Sequence, residues 1–235
     1  MAEKIDITID EARALVADEA LWPLVRDFLW NFAPQVHRSW LEGLGLETVD
    51  ARREVASDAS QVPGLMSSPR VRRFVLSSLG VEACFHAFPK GDWSRILLLD
   101  GATLEAIVKW LGALALAEQL RRVTDGKTVR DLKSALPGIY PEVFGFTAYF
   151  GKWKVENVEC RMDGGEISRF GGGVLFSILK ELPAPLLRRL ELKLPKGMQI
   201  QDAQSSKDPR FSVFSSQFMA KLLKLRFPEA YKLCC

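Results

Sequence analysis

The stretch ATLEAIVKWLGALALAEQLRRV, residues 102–123, decides the fold class. Leu104, Ile107, Val108, Leu111, Leu114 and Leu120 recur mostly at intervals of three and four, with Ala113, Ala115 and Ala117 between them. That spacing collects the leucines and their neighbours on one broad face of an α-helix, and the alanines keep the remaining sides small enough to pack. A helix buried on most sides is therefore predicted from about Ala102 to Val123. Arg121 and Arg122 fall at its C-terminal end, where the helix dipole favours cations, and Asp125-Gly126 predicts the stop.

The helical period extends in both directions. Upstream, Thr8 and Glu11 have the spacing of a capping box, so a first helix should begin near Thr8. Leu21, Leu24, Val25, Phe28, Leu29 and Phe32 then form a second apolar face, with Trp30 and Trp40 flanking it and Pro34 closing it. The pattern fades between Glu47 and Ser68, which predicts a linker or long loop over 47–68. Ser68 as N-cap, Pro69 in the first position and Gly80 as stop bracket a further helix whose outer face carries Arg70, Arg72 and Arg73. Downstream, Thr128 and Asp131 open a short helix that ends before Pro137-Gly138.

Past Pro141 the pattern changes. Trp153, Val155, Val158 and Cys160 fall close to alternation, and Asp163-Gly164 is a hairpin-type dipeptide ahead of Ile167 and Phe170. Helical period returns at Gly173, while Leu186–Leu194 fits helix and strand equally. Asp208, Pro209 and the stripe Phe211, Phe214, Phe218, Leu222 and Leu225 predict a last helix before Pro228. The expected class is mainly α, an irregular helical domain with a small β-hairpin around residues 153–170. Its expected organisation is an acidic helical segment over 1–46, the linker, and a main helical domain over 69–235, packed as one globule.

The chain has 235 residues, 48% of them hydrophobic, which is ample for a core and excludes a disordered chain. Its net charge of +3 makes no case for nucleic acid or membrane, but that total conceals a gradient. Residues 1–60 sum to −6 and residues 61–235 to +9. The four cysteines, Cys84, Cys160, Cys234 and Cys235, lack CxxC spacing, so a reducing compartment is expected. An acidic start without an apolar run predicts no secretory signal, and no apolar stretch approaches the length of a membrane span. The terminal Cys-Cys pair matches a double-prenylation signal, but the phosphate loop that accompanies it is missing.

Catalytic patterns are scarce. His37 and His86 have no partner at metal-ligand spacing, so neither a metal nor a cofactor is expected. His37 reads as a helix-boundary residue and His86, between Phe85 and Phe88, as a satisfied core histidine. Gly164, Gly165, Gly171, Gly172 and Gly173 lack the Gly-Lys-Ser/Thr ending of a phosphate loop and read as a turn with a flexible lead into the next helix. Two rival readings remain: an enzyme of unrecognised type using glycine-rich segment 164–173 with His86, and a nucleic-acid binder using Arg70, Arg72, Arg73, Arg121, Arg122, Arg188 and Arg189. The first requires a pocket where both elements converge, the second one shared basic face.

Three stretches carry a resemblance. Ile96–Arg122 is similar to the central helical block of the K-type adaptors of bacterial type III secretion systems, the SctK or YscK family. Gly172–Pro195, with Gly-Gly-Val-Leu-Phe-Ser-Ile-Leu-Lys-Glu-Leu-Pro followed by Leu-Leu-Arg-Arg-Leu-Glu-Leu-Lys-Leu-Pro, is the most distinctive. Lys221–Leu233 is the third. The resemblance implies a non-enzymatic helical adaptor of the cytosolic sorting platform, peripheral to the inner membrane at the base of the apparatus. Its implied partners are the cytoplasmic domain of the inner-membrane ring protein SctD and the SctQ pod protein, with SctL and the export ATPase reached indirectly. Nucleic acid and membrane insertion are not expected. Arg188, Arg189 and Lys193 become candidate contacts through their place in the distinctive stretch, and Asp10, Glu11, Asp18 and Glu19 through their charge alone. Separated charge of this kind could orient a bridging protein between two partners.

Overall fold

The computed structural model describes residues 8–16, 18–44, 68–150, 163–198 and 216–235. Every regular element among them is helical. The chain divides into two compact units. Unit 1 is built from residues 1–101, 182–196 and 233–235, and unit 2 from 102–181 and 197–232. The stretch expected as one main domain, 69–235, thus contributes to both.

In unit 1, α1 (Ile9–Leu15) opens with the expected capping box, Thr8 Oγ1 accepting from Glu11 N while Glu11 returns to Thr8 N. Next come α2 (Trp22–Leu29), α3 (Arg38–Leu41) and α4 (Pro69–Ser78), then a 3-10 helix at Trp93–Leu98. Val25, Phe28, Phe32, Val75, Phe88, Ile96 and Leu97 are buried, with the ring of Phe28 edge-on to those of Phe32 and Phe88.

In unit 2, the stretch at 102–123 forms α5 (Gly101–Ala115) and α6 (Ala117–Arg121), divided at Leu116. Hydrogen bonds from Leu116 N to Gly112 O and from Leu120 N to Leu116 O run through the division, so helical bonding continues past Leu116, whose own backbone departs from helical angles at φ −100° and ψ 13°. Asp125, read as part of a stop, is instead the N-cap of α7 (Gly126–Ala135), its carboxylate accepting from Thr128 N. There follow α8 (Val143–Phe150) and α9 (Gly164–Leu179).

The second half of the hairpin expected at 153–170 is helix. Asp163 accepts from Glu166 N and caps α9, which outweighs the hairpin preference of Asp-Gly; residues 153–162 lie outside the described ones. The glycines read as a turn are inside α9 as well. At Gly112 of α5 an added Cβ would stand 1.9 Å from Ile167 O, and at Gly171 of α9 it would stand 1.9 Å from Val108 O. Two backbones in contact demand residues without side chains, and this requirement overrides the low helix propensity of glycine.

The ambiguous stretch 186–194 is settled as helix: α10 (Ala184–Lys193) returns the chain to unit 1, with Leu186, Leu190 and Leu192 buried. Finally α11 (Ser216–Arg226) ends ahead of Pro228, which opens α12 (Pro228–Cys234). The N-cap expected at Asp208 lies outside the described residues.

Candidate interaction surfaces

A helix leaves its last carbonyls without partners, and in unit 1 the basic residues of α10 supply them. Arg189 Nη1 donates to Phe28 O at 2.5 Å and Leu29 O at 2.9 Å, the final carbonyls of α2, and Nη2 to Glu82 O. Arg188 Nε and Nη2 both donate to Leu79 O, beyond the end of α4, at 3.1 Å. Lys193 Nζ donates to Leu97 O and Leu99 O, each at 2.7 Å, where the 3-10 helix ends. Three neighbouring cations of one helix therefore close three other elements, consistent with the attraction of positive charge to helix C-termini.

Aromatic rings complete these sites. The Arg189 guanidinium lies 5.3 Å from the Phe32 ring centre and 5.8 Å from that of Phe28, and Lys193 Nζ is 5.0 Å from Phe28. Arg188 stacks over Trp40 at 5.0 Å and pairs with Glu191 at 2.5 Å. Trp40 Nε1 in turn donates to Leu194 O, and His37 N to Leu192 O, which closes α10 itself. Burial pushes the Lys193 ammonium down to about 7 against a partial opposing pull from Asp100, and it lowers Arg189 as well.

The expectation had Arg189 and Lys193 at a partner surface, whereas the structure places both inside unit 1, 3% and 2% exposed. Arg188 is half-buried. Motif position and residue type gave no means of separating a buried cation from an exposed one, because the carbonyls it meets are distant in sequence.

The acidic candidates lie at the surface, some with local duties. Asp10 is exposed. Glu11 is held below the usual carboxylate range by its hydrogen bonds to Thr8. Asp18, half-buried, accepts from Ala20 N and stands 3.8 Å from Arg95, which is itself buried and donates to Phe88 O and Pro89 O. Glu19 pairs with Arg13 at 2.6 Å in the open.

His37 caps α3 by accepting from Ser39 N at 3.2 Å, the boundary role expected of it. His86 departs from the satisfied core reading. Its ring is edge-on to Phe88, Nε2 has no hydrogen-bond partner among the described residues, and Asp92 Oδ2 is 3.5 Å away. Among the described residues no cluster of His, Cys, Asp and Glu could hold a metal ion, and no helix is long and apolar enough to cross a membrane. Of the arginines grouped as a nucleic-acid face, Arg189 is interior, Arg72 is bonded to Asn31 and Arg121 to Glu118, Phe144 O and Thr147.

A family model described as YOP proteins translocation protein K (YscK) matches residues 51–234, most of the chain. The chain belongs to the YscK family. This makes it a type III secretion protein, of a family not known for enzymes. Neither a curated relative nor a solved structure matched it. The YscK match takes in α4 to α12, α10 included, but it leaves out α1, α2 and α3.

Proposed function

We propose that this YscK-family chain is a non-enzymatic adaptor of the sorting platform, bridging the cytoplasmic domain of SctD and the SctQ pods at the cytoplasmic side of the inner membrane. Membership of the family across residues 51–234 carries this reading. SctL and the export ATPase are reached through the pods. The charged outer surface of unit 1, with Asp10 and Glu19 exposed, supports a role for electrostatic orientation in at least one of the two contacts.

Co-purification of the tagged chain from a type III secretion host tests the reading. Ring and pod proteins should come down together, and recovery of neither overturns the adaptor role. Asp10→Lys with Glu19→Lys leaves the capping box intact; unchanged recovery of both partners removes the acidic contact from the proposal.

A further inference from the structure

The ten residues of α4 contain three arginines and no carboxylate. This breaks the usual rules for a surface helix. Arg70 stands in the first turn, where the dipole favours acids, and Arg70 and Arg73 are like charges on adjacent turns. The helix buries Val75, and Arg72 is held by Asn31 at 2.5 Å. The opposite side is one continuous exposed face carrying Arg70, Arg73, Phe74, Ser77 and Ser78, as the helical spacing dictates. Among the described residues no ion pair or hydrogen bond engages Arg70 or Arg73. On the same face Phe74 leaves 54% of its surface in water.

We propose that this outer face of α4 docks an acidic segment of a partner protein, one that seats an apolar side chain against Phe74 while its carboxylates meet Arg70 and Arg73. Charge complementarity selects the occupant: a helix that repels itself and has no internal acid is relieved by carboxylates from outside. The aromatic centre selects a protein over a nucleic acid. Phosphate tracking is served by a row of cations, whereas an exposed aromatic ring beside two guanidiniums is the composition of a protein–protein anchor. The surface lies within the region matched to the family, and the inference rests on the adaptor reading only for where the partner is sought.

A photoreactive amino acid at position 77, on the same face, tests this in the full chain expressed in a secretion host, with the crosslinked segment sequenced by mass spectrometry. The expected adduct is an acidic segment of a secretion-apparatus protein, its yield falling at least tenfold in Arg70→Glu with Arg73→Glu and in Phe74→Ser. Circular dichroism verifies folding, and Arg70→Gln with Arg73→Gln serves as the milder pair. The same dependence with an acidic segment from outside the apparatus supports the α4 surface and counts against the adaptor reading. Ring or pod adducts that ignore these substitutions, or that map to a segment without net negative charge, overturn the α4 surface and leave the adaptor reading standing. Adducts with nucleic acid or a second copy of the chain, or no adduct, overturn the α4 surface.

Discussion

At Arg189 a buried charge must recover a desolvation cost of several kcal/mol, and it does so without a carboxylate. Three carbonyls and two aromatic faces share the task, with the thiol of Cys84 alongside, itself pushed upward by burial. Arg189→Met should cost about 3 kcal/mol, because it leaves buried carbonyls unsatisfied. Arg189→Lys should recover little of this, since an ammonium cannot reproduce the planar fork. Urea midpoints measure both. Lys193 makes a different prediction. Its folded value of about 7 is below the ordinary 10.5, so between those limits the unfolded chain holds a proton that the folded chain lacks. The contribution of Lys193 to stability should therefore rise with pH from about 7 upward and be flat below. Relative to Lys193→Met, wild-type protein should gain about 2 kcal/mol between pH 7 and 9. A difference that shrank over this window would contradict the burial.

Among the elements, α5 and α9 show the sharpest conflict between local preference and packing. Alanine is the better helix former by about 1 kcal/mol, yet Gly112→Ala and Gly171→Ala should each destabilise by about 2 kcal/mol net, because the new methyl meets a backbone carbonyl that cannot withdraw. A thermal melt decides the sign. The helical period at 102–123 and the capping box at Thr8 were legible from the sequence because both are signals within one element. The glycines were not, since their partners Val108 and Ile167 lie on the other helix, and composition alone favours a turn. Asp163 misled in the same way: Asp-Gly suits a hairpin and an N-cap equally, and the packing of the residues after it chooses between them.

On the scale of the whole molecule, residues 8–44 precede the family match but share unit 1 with α4 and α10. Phe28, Leu29 and Trp40 complete the environment of α10. Removal of residues 1–44 should abolish amide-exchange protection across α10, a segment of the family-matched region, and retained protection would show that the N-terminal helices are dispensable to it. The charge gradient also changes meaning at this scale. The −6 and +9 of the two regions suggested opposed surfaces, yet Arg95, Arg189 and Lys193 are interior, and Asp18 faces Arg95 across unit 1. From its own order of residues the chain dictates helices, most of their ends and a family, because period, caps and motif are read along a single strand of covalent neighbours. Which cations face water, which glycines pack backbone on backbone and which helices share a unit depend on groups up to 161 positions apart. Burial and hydrogen bonding act between neighbours in space, and only the folded chain makes those neighbours.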